Sequence, residues 1–272
     1  MTTAGLAWGS LWSAAGQLAG TFALRPYVFG FLAIFLAAGA RDLGGARTMA
    51  FLSWGGGIAL VAELMSTRVG VPFGLYHYTG ATRGAELFLG NVPLFSPLSF
   101  PFLAYASFCL ARRVLGSAWS STRGGRARAV LASGVLMMLL DVVIDPLAVR
   151  GERWFLGHIF YYPEAGLYFG VPLSNFLGWL VVGWLTVGGV LVRGRGPRPG
   201  ALGPGIALYY LVLAVNLTIT LWIGEWLMAA AGIVVHLLAF LLLYSVSRMT
   251  AGRWSADRLS APAISGGGET TP

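Results

Sequence analysis

A chain of 272 residues that is 57% hydrophobic and only 10% charged has too little polar surface to cover a globule in water, where domains carry about 25% charged residues. A net charge of +8 would suit nucleic acid, but the arginines cluster in short loops between apolar runs. That pattern sets membrane orientation, so the expected partner is a lipid bilayer and not a nucleic acid. There is no lysine, which rules out a seven-helix retinal pigment, because its Schiff base needs one.

In chain order, residues 1–22 are mildly apolar and read as an interfacial segment or an extra span. Seven candidate spans follow, near Ala23–Ala40, Thr48–Met65, Pro93–Leu110, Val130–Asp145, Asn175–Val192, Leu202–Ile223 and Trp226–Val246. Each approaches the roughly 20 residues that cross a bilayer, and tilt or partial burial accommodates the short ones. The expected fold is an all-α polytopic membrane bundle of about seven helices, with eight as the alternative, occupying residues 23–247. Residues 248–272, rich in Ser, Gly and Pro towards their end, are expected to form a disordered cytoplasmic tail.

Arg41 and Arg47, then Arg112, Arg113, Arg123, Arg126 and Arg128, then Arg193, Arg195 and Arg198, and finally Arg248, Arg253 and Arg258 follow alternate spans. Arg25, Arg68, Arg83, Arg150 and Arg153 fall on the other side. The positive-inside rule therefore predicts an outer N-terminus and a cytoplasmic C-terminus in a multi-pass protein of the cell membrane. The long connections 66–92 and 146–174 lie on the outer side. Their Gly, Pro and aromatic content marks them as re-entrant or interfacial, tolerable at membrane depth where protein buries them or they line a cavity.

The acids carry the functional signal. Glu63 ends the second span, Asp141 and Asp145 end the fourth, and Glu225 follows the sixth. All three helices run outward, so these carboxyls gather at one membrane face. Ionisable residues inside spans are costly and mark functional cavities. Asp141 and Asp145, four apart, share a helix face, and Pro146 is expected to end the helix at Asp145. Two buried like charges at a helix C-terminus oppose ionisation, so at least one of the pair is expected to hold a proton, as in an acid/base pair. The competing reading pairs these acids with Arg150 and Arg153 at the surface. His77, His158 and His236 are scattered, with no HxxxH, HxxH or CxxC spacing, so no metal centre for oxygen chemistry is expected. Asn175 either orients a water or substrate group or caps the fifth span. Trp154, Trp179, Trp222 and Trp226 fit an interfacial belt or, alternatively, a cation-stabilising wall.

Together, Glu63, the run Gly70-Val-Pro-Phe-Gly-Leu-Tyr-His-Tyr-Thr79, Asp141-x-x-x-Asp145-Pro146 and Tyr168-Phe-Gly-Val-Pro-Leu-Ser-Asn-Phe-Leu-Gly-Trp179 resemble the carotenoid biosynthesis membrane protein family. Its characterised members are carotenoid hydratases, including bisanhydrobacterioruberin hydratases and CruF-type gamma-carotene hydratases. The resemblance spans about residues 25–247. It implies cofactor-free addition of water to the terminal isopropylidene double bond of an acyclic carotenoid end group, giving a tertiary alcohol. Substrates of this kind resemble lycopene, gamma-carotene or bacterioruberin precursors, and other enzymes of the pathway are candidate partners. On this reading Asp141 or Asp145 protonates the alkene, and its partner or Glu63 deprotonates the attacking water. Tyr76, Tyr78 and Trp179 shield the cation, His77 and Asn175 position water, and Glu225 joins the substrate-binding group. The alternatives are a proton-coupled transporter, which leaves its substrate unchanged, and a non-catalytic carotenoid binder, which forms no alcohol.

Overall fold

A computed structural model of the chain describes residues 3–192 and 201–260. Helix α1 (Thr3–Leu24) meets α2 (Pro26–Asp42) through an 89° bend at Arg25. Pro26, whose fixed φ suits a first helical turn, starts the second segment. The other long helices are α3 (Gly45–Val69), α4 (Phe95–Leu115), α6 (Arg123–Ala148), α7 (Leu173–Val192), α8 (Gly203–Trp222) and α9 (Trp226–Ser260), with a four-residue α5 (Ala118–Ser121) before α6. Among the described residues, six helices are long and apolar enough to cross a membrane, or seven spans if the bent pair α1–α2 counts as one. The protein is a multi-pass membrane helix bundle, with each expected span on a helix except the first, Ala23–Ala40, which straddles the bend at Arg25.

Helix α4 forms the core. Every residue from Phe100 through Arg112 is buried, and α2, α3, α6, α7 and α8 pack around it. A helix apolar on all sides needs such enclosure. The outer helices turn side chains such as Leu177, Leu237 and Leu242 outward, each more than half exposed, as a lipid-facing surface permits. Helices α6 and α7 approach closely at Gly134, where a Cβ would strike the Trp184 ring and the Leu180 carbonyl. The same Trp184 donates Nε1–H to the Leu131 carbonyl at 3.2 Å, fixing the register of the two helices.

Two expectations require correction. Pro146 does not stop α6 at Asp145: the helix runs to Ala148, and the Asp145 carbonyl still accepts from Val149 N at 2.9 Å. The last span, Trp226–Ser245, lies where expected, but its helix does not stop before the tail expected from residue 248. It continues to Ser260, because the segment through Leu259 carries helix-forming Ala, Arg and Leu and meets no proline before Pro262. Residues 261–272 of the expected tail, and Arg193, Arg195 and Arg198 of the orientation pattern, lie outside the described residues.

The two long aromatic connections close one end of the bundle. β1 (His77–Tyr78) in the first pairs antiparallel with β4 (Phe160–Tyr161) in the second, His77 opposite Tyr161 and Tyr78 opposite Phe160. Thr79 N and Oγ1 donate to the Ile159 and His158 carbonyls at 2.9 and 2.7 Å. The first connection also holds a small hairpin of β2 (Phe88–Leu89) and β3 (Val92–Pro93).

Candidate active site

Beneath these connections lies a cavity of about 140 Å³. Glu63 from α3, Asp145 from α6, Asn175 and Trp179 from α7, and Tyr76 and Tyr78 around β1 all line it. The alternation of an extended segment turns Tyr76 and Tyr78 inward. His77 is half-buried and lies outside the lining, its ring 5.8 Å from that of Tyr161.

The carboxyl groups fall into two sets. On one wall, Asn175 Nδ2 donates to Asp141 Oδ2 at 2.6 Å and to Asp145 Oδ2 at 2.7 Å. An amide nitrogen carries two hydrogens, so one group can bind both carboxyls. Trp179 Nε1–H adds a third donor, 3.2 Å from Asp145 Oδ2. Asp141 is completely buried and does not line the cavity; its Oδ1 is without a hydrogen-bond partner. Asp141 therefore stands behind Asp145, one helical turn away. On the other wall, Glu63 is 2% exposed. Its Oε1 accepts from Ser96 Oγ at 2.5 Å, while the buried Oε2 has no partner. Ser96 Oγ in turn accepts from Tyr78 OH at 3.0 Å. Among the described residues no ion pair reaches any of these three acids.

Their supports follow from local sequence. Asn175 sits in the first turn of α7, and its side chain, instead of capping that helix, reaches across to α6. Trp179, one turn later, is 5% exposed and so belongs to the interior, not to an interfacial belt. It stacks on Phe100 of α4, centroids 4.3 Å apart and planes 13° apart, with Phe73 packed against both. Tyr76, Tyr78 and Tyr162 complete the aromatic wall. Burial pushes all three phenols well above their ordinary range, so they stay neutral hydrogen-bonding groups.

Glu225 lies elsewhere. It ion-pairs with Arg150, Nε to Oε1 at 3.0 Å, and with Arg153, at the partly exposed corner between α8 and α9. The arginines that were candidates to neutralise Asp145 are thus committed to Glu225. Arg150 Nη1 also donates to the Pro146 and Phe169 carbonyls, both at 2.9 Å, which ties the second connection to the end of α6.

Sequence reasoning missed Ser96, Phe100, Tyr162 and Asn216, all in the lining. Asn216 left a usable signal, the one amide in the run Leu211–Leu221, whose other polar residues are threonines, whereas Ser96 sits among Phe and Pro residues with nothing to set it apart.

The chain matches the family described as carotenoid biosynthesis protein over residues 22–239, which takes in every helix and side chain of this site. It belongs to that family. A bisanhydrobacterioruberin hydratase from Haloarcula japonica is 33% identical over 181 residues, covering 62% of this chain and 55% of the relative, so the match spans about half of that protein's length. No solved structure matches the chain.

Proposed function

We propose that this family member hydrates the terminal isopropylidene double bond of an acyclic carotenoid end group. The observation that carries the reading is a small aromatic cavity lined by Glu63 and Asp145, with buried Asp141 behind, none of them paired with a cation among the described residues. A cavity near 150 Å³ holds about one benzene. The 140 Å³ here suits a five-carbon end group, with the polyene left to lie along the lipid-facing surface. The similarity to a protein named a hydratase supports the same reaction class.

Addition of water to an alkene changes no overall oxidation state, so it needs an acid, a base and shelter for a cation. Asp145 faces the cavity and delivers its proton to the less substituted alkene carbon; the π pair forms the new C–H bond. The tertiary carbon left electron-poor is stabilised by the faces of Trp179 and the neighbouring phenols. Water then attacks that carbon and gives up a proton to Glu63 Oε2, the unpartnered oxygen on the opposite wall. Asp141 backs Asp145 through their shared Asn175. Access favours Asp145 over Asp141 as the acid, since of the two it is Asp145 that lines the cavity. The arginine pattern supports a cell-membrane orientation with this end outward.

The test is pigment analysis in a lycopene-producing host expressing the chain with Asp141→Asn or Asp145→Asn. Wild type is expected to yield a tertiary carotenoid alcohol, Asp145→Asn almost none and Asp141→Asn a reduced amount. Full activity in both variants would refute the acid assignment. Absence of any new alcohol with folded wild type would refute the hydratase reading.

A further inference from the structure

An acid on one wall and a base on the other leave a proton displaced after every turnover. Asp145 has lost one to carbon, and Glu63 has gained one from water. The net reaction consumes no proton, so one proton must travel from Glu63 back to the aspartates before the next cycle. Glu63 is 2% exposed and faces Asp145 across the shared cavity, so hydroxyls fixed along its wall can carry the return.

The structure contains a chain of neutral hydroxyls leading away from Glu63. Ser96 Oγ contacts Glu63 Oε1 at 2.5 Å and Tyr78 OH contacts Ser96 Oγ at 3.0 Å. The ring of Tyr76 lies 5.5 Å from that of Tyr78 and 5.9 Å from that of Tyr162, and all three phenols line the cavity that Glu63 and Asp145 share. Tyr162 closes the same wall with its ring beside that of Tyr76, and its phenol lies within electrostatic reach of Asp145. Their burial keeps these phenols neutral, which suits passing a proton on over ionising.

We propose that Ser96, Tyr78, Tyr76 and Tyr162 form the relay that returns the proton from Glu63 to Asp145 after each hydration. The inference rests on the hydratase reading above. In the return step the protonated Glu63 carboxyl turns so that the hydrogen gained at Oε2 faces Ser96, and its O–H bond then breaks as a bond to Ser96 Oγ forms. Ser96 passes its own hydrogen to Tyr78, the phenols repeat the exchange, and the Asp145 carboxylate receives the last one. Hydroxyl hydrogens rotate freely, so the chain that donates into ionised Glu63 reverses once Glu63 is protonated. No electron is transferred and no hydroxyl keeps a charge.

The experiment compares two rates for the full chain purified in detergent, with lycopene as the probe substrate. One is the single-turnover rate, with enzyme in excess; the other is the steady-state rate, with lycopene in excess. Tyr78→Phe keeps the ring and removes the hydroxyl. It is expected to lower the steady-state rate by at least about tenfold more than the single-turnover rate, since only the second cycle waits for the return. Ser96→Ala breaks the chain one link nearer Glu63 and is expected to show the same divergence, which covers the case of a poorly folded Tyr78→Phe protein. An unchanged ratio of the two rates in the folded variants, whether both rates fall together or neither falls, overturns the relay and leaves the hydratase reading intact. A wild-type chain that makes no alcohol overturns both.

Discussion

The two ends of the bundle treat buried acids in opposite ways. At the end away from the cavity, Asp42 closes α2 and meets Arg112 of α4 in a two-pronged pair, with Nη1 to Oδ2 at 2.5 Å and Nη2 to Oδ1 at 3.0 Å. Tyr105 OH donates to the same carboxylate at 3.4 Å, and the guanidinium lies over the Trp119 and Phe108 rings at 4.9 and 5.2 Å. At the cavity end, Glu63, Asp141 and Asp145 have only neutral donors, and Glu63 and Asp141 each retain an unpartnered oxygen. A carboxylate clamped by a guanidinium cannot exchange a proton without breaking the clamp, whereas one held by amide, indole and hydroxyl can. Burial alone therefore does not mark the reactive acids. Even at the cavity end, Glu86 is as buried as any, yet it is bound by Arg25 at 3.0 and 3.2 Å and also by Thr82, and reads as a structural strut.

The sharpest way to break this contrast is to neutralise one acid at each end. Asp145→Asn or Glu63→Gln is expected to lower alcohol formation by about 10²–10⁴-fold, the usual worth of a positioned acid or base. Thermal melting in detergent should hold or rise, because each change replaces a buried, unpaired carboxyl by a neutral amide. Product per folded protein, measured beside the melt, checks both halves of the statement. Arg112→Leu should do the reverse. It strands a buried carboxylate and is expected to destabilise the bundle by about 3–5 kcal/mol while leaving the cavity's geometry alone. Adding Asp42→Leu to that variant should recover most of the stability, since an apolar pair can replace a buried ion pair. A double variant no more stable than Arg112→Leu would show that Asp42 is not what Arg112 serves.

How much of this was legible in sequence follows the same division. Each span was readable because apolar runs near twenty residues have few alternatives, and Asp141, Asp145 and Glu63 stood out as acids within them. The partner of each acid was not readable, because pairing is set by which helices touch. Asp42 and Glu86 do not stand out in sequence without their cations, and Arg25 and Arg112 read as loop charges there although both are buried. Pro146 was read as a terminator from local backbone preference, yet packing around α6 carries the helix a further turn. His77 seemed to belong with its tyrosine neighbours, but the two-residue alternation of β1 separates them. Ser96 could be found only by seeing what Glu63 touches.

A middle-sized effect tests the shared donor. Asn175→Ala removes the hydrogen bond that holds Asp141 and Asp145 together. Bonds to charged groups contribute about 1.5–3 kcal/mol. The variant should lose roughly tenfold or more in activity, measured as alcohol formed per folded protein, through misplacement of the acid, with Asn175→Gln no better because the longer side chain cannot reach both carboxyls from the same turn of α7.

The smallest effects are expected from the two sequence candidates that the fold turns away from the cavity, and they matter because they test geometry against proximity in sequence. Glu225 shares the cavity's end of the bundle and would lie among the reactive acids if position along the membrane normal were enough. Its side chain is instead 23% exposed and held by two arginines, outside the lining. Partly exposed pairs of this kind contribute about 0–1 kcal/mol. Glu225→Gln should therefore lower stability by no more than about 1 kcal/mol and change product formation by less than about twofold. His77→Ala should likewise leave product formation nearly unaltered, whereas Tyr78→Phe, one residue away, should not. A tenfold loss in Glu225→Gln with an unchanged melt would place an ion-paired acid in the reaction after all. The separation of clamped from unclamped carboxyls would then fail as a guide to which acids react.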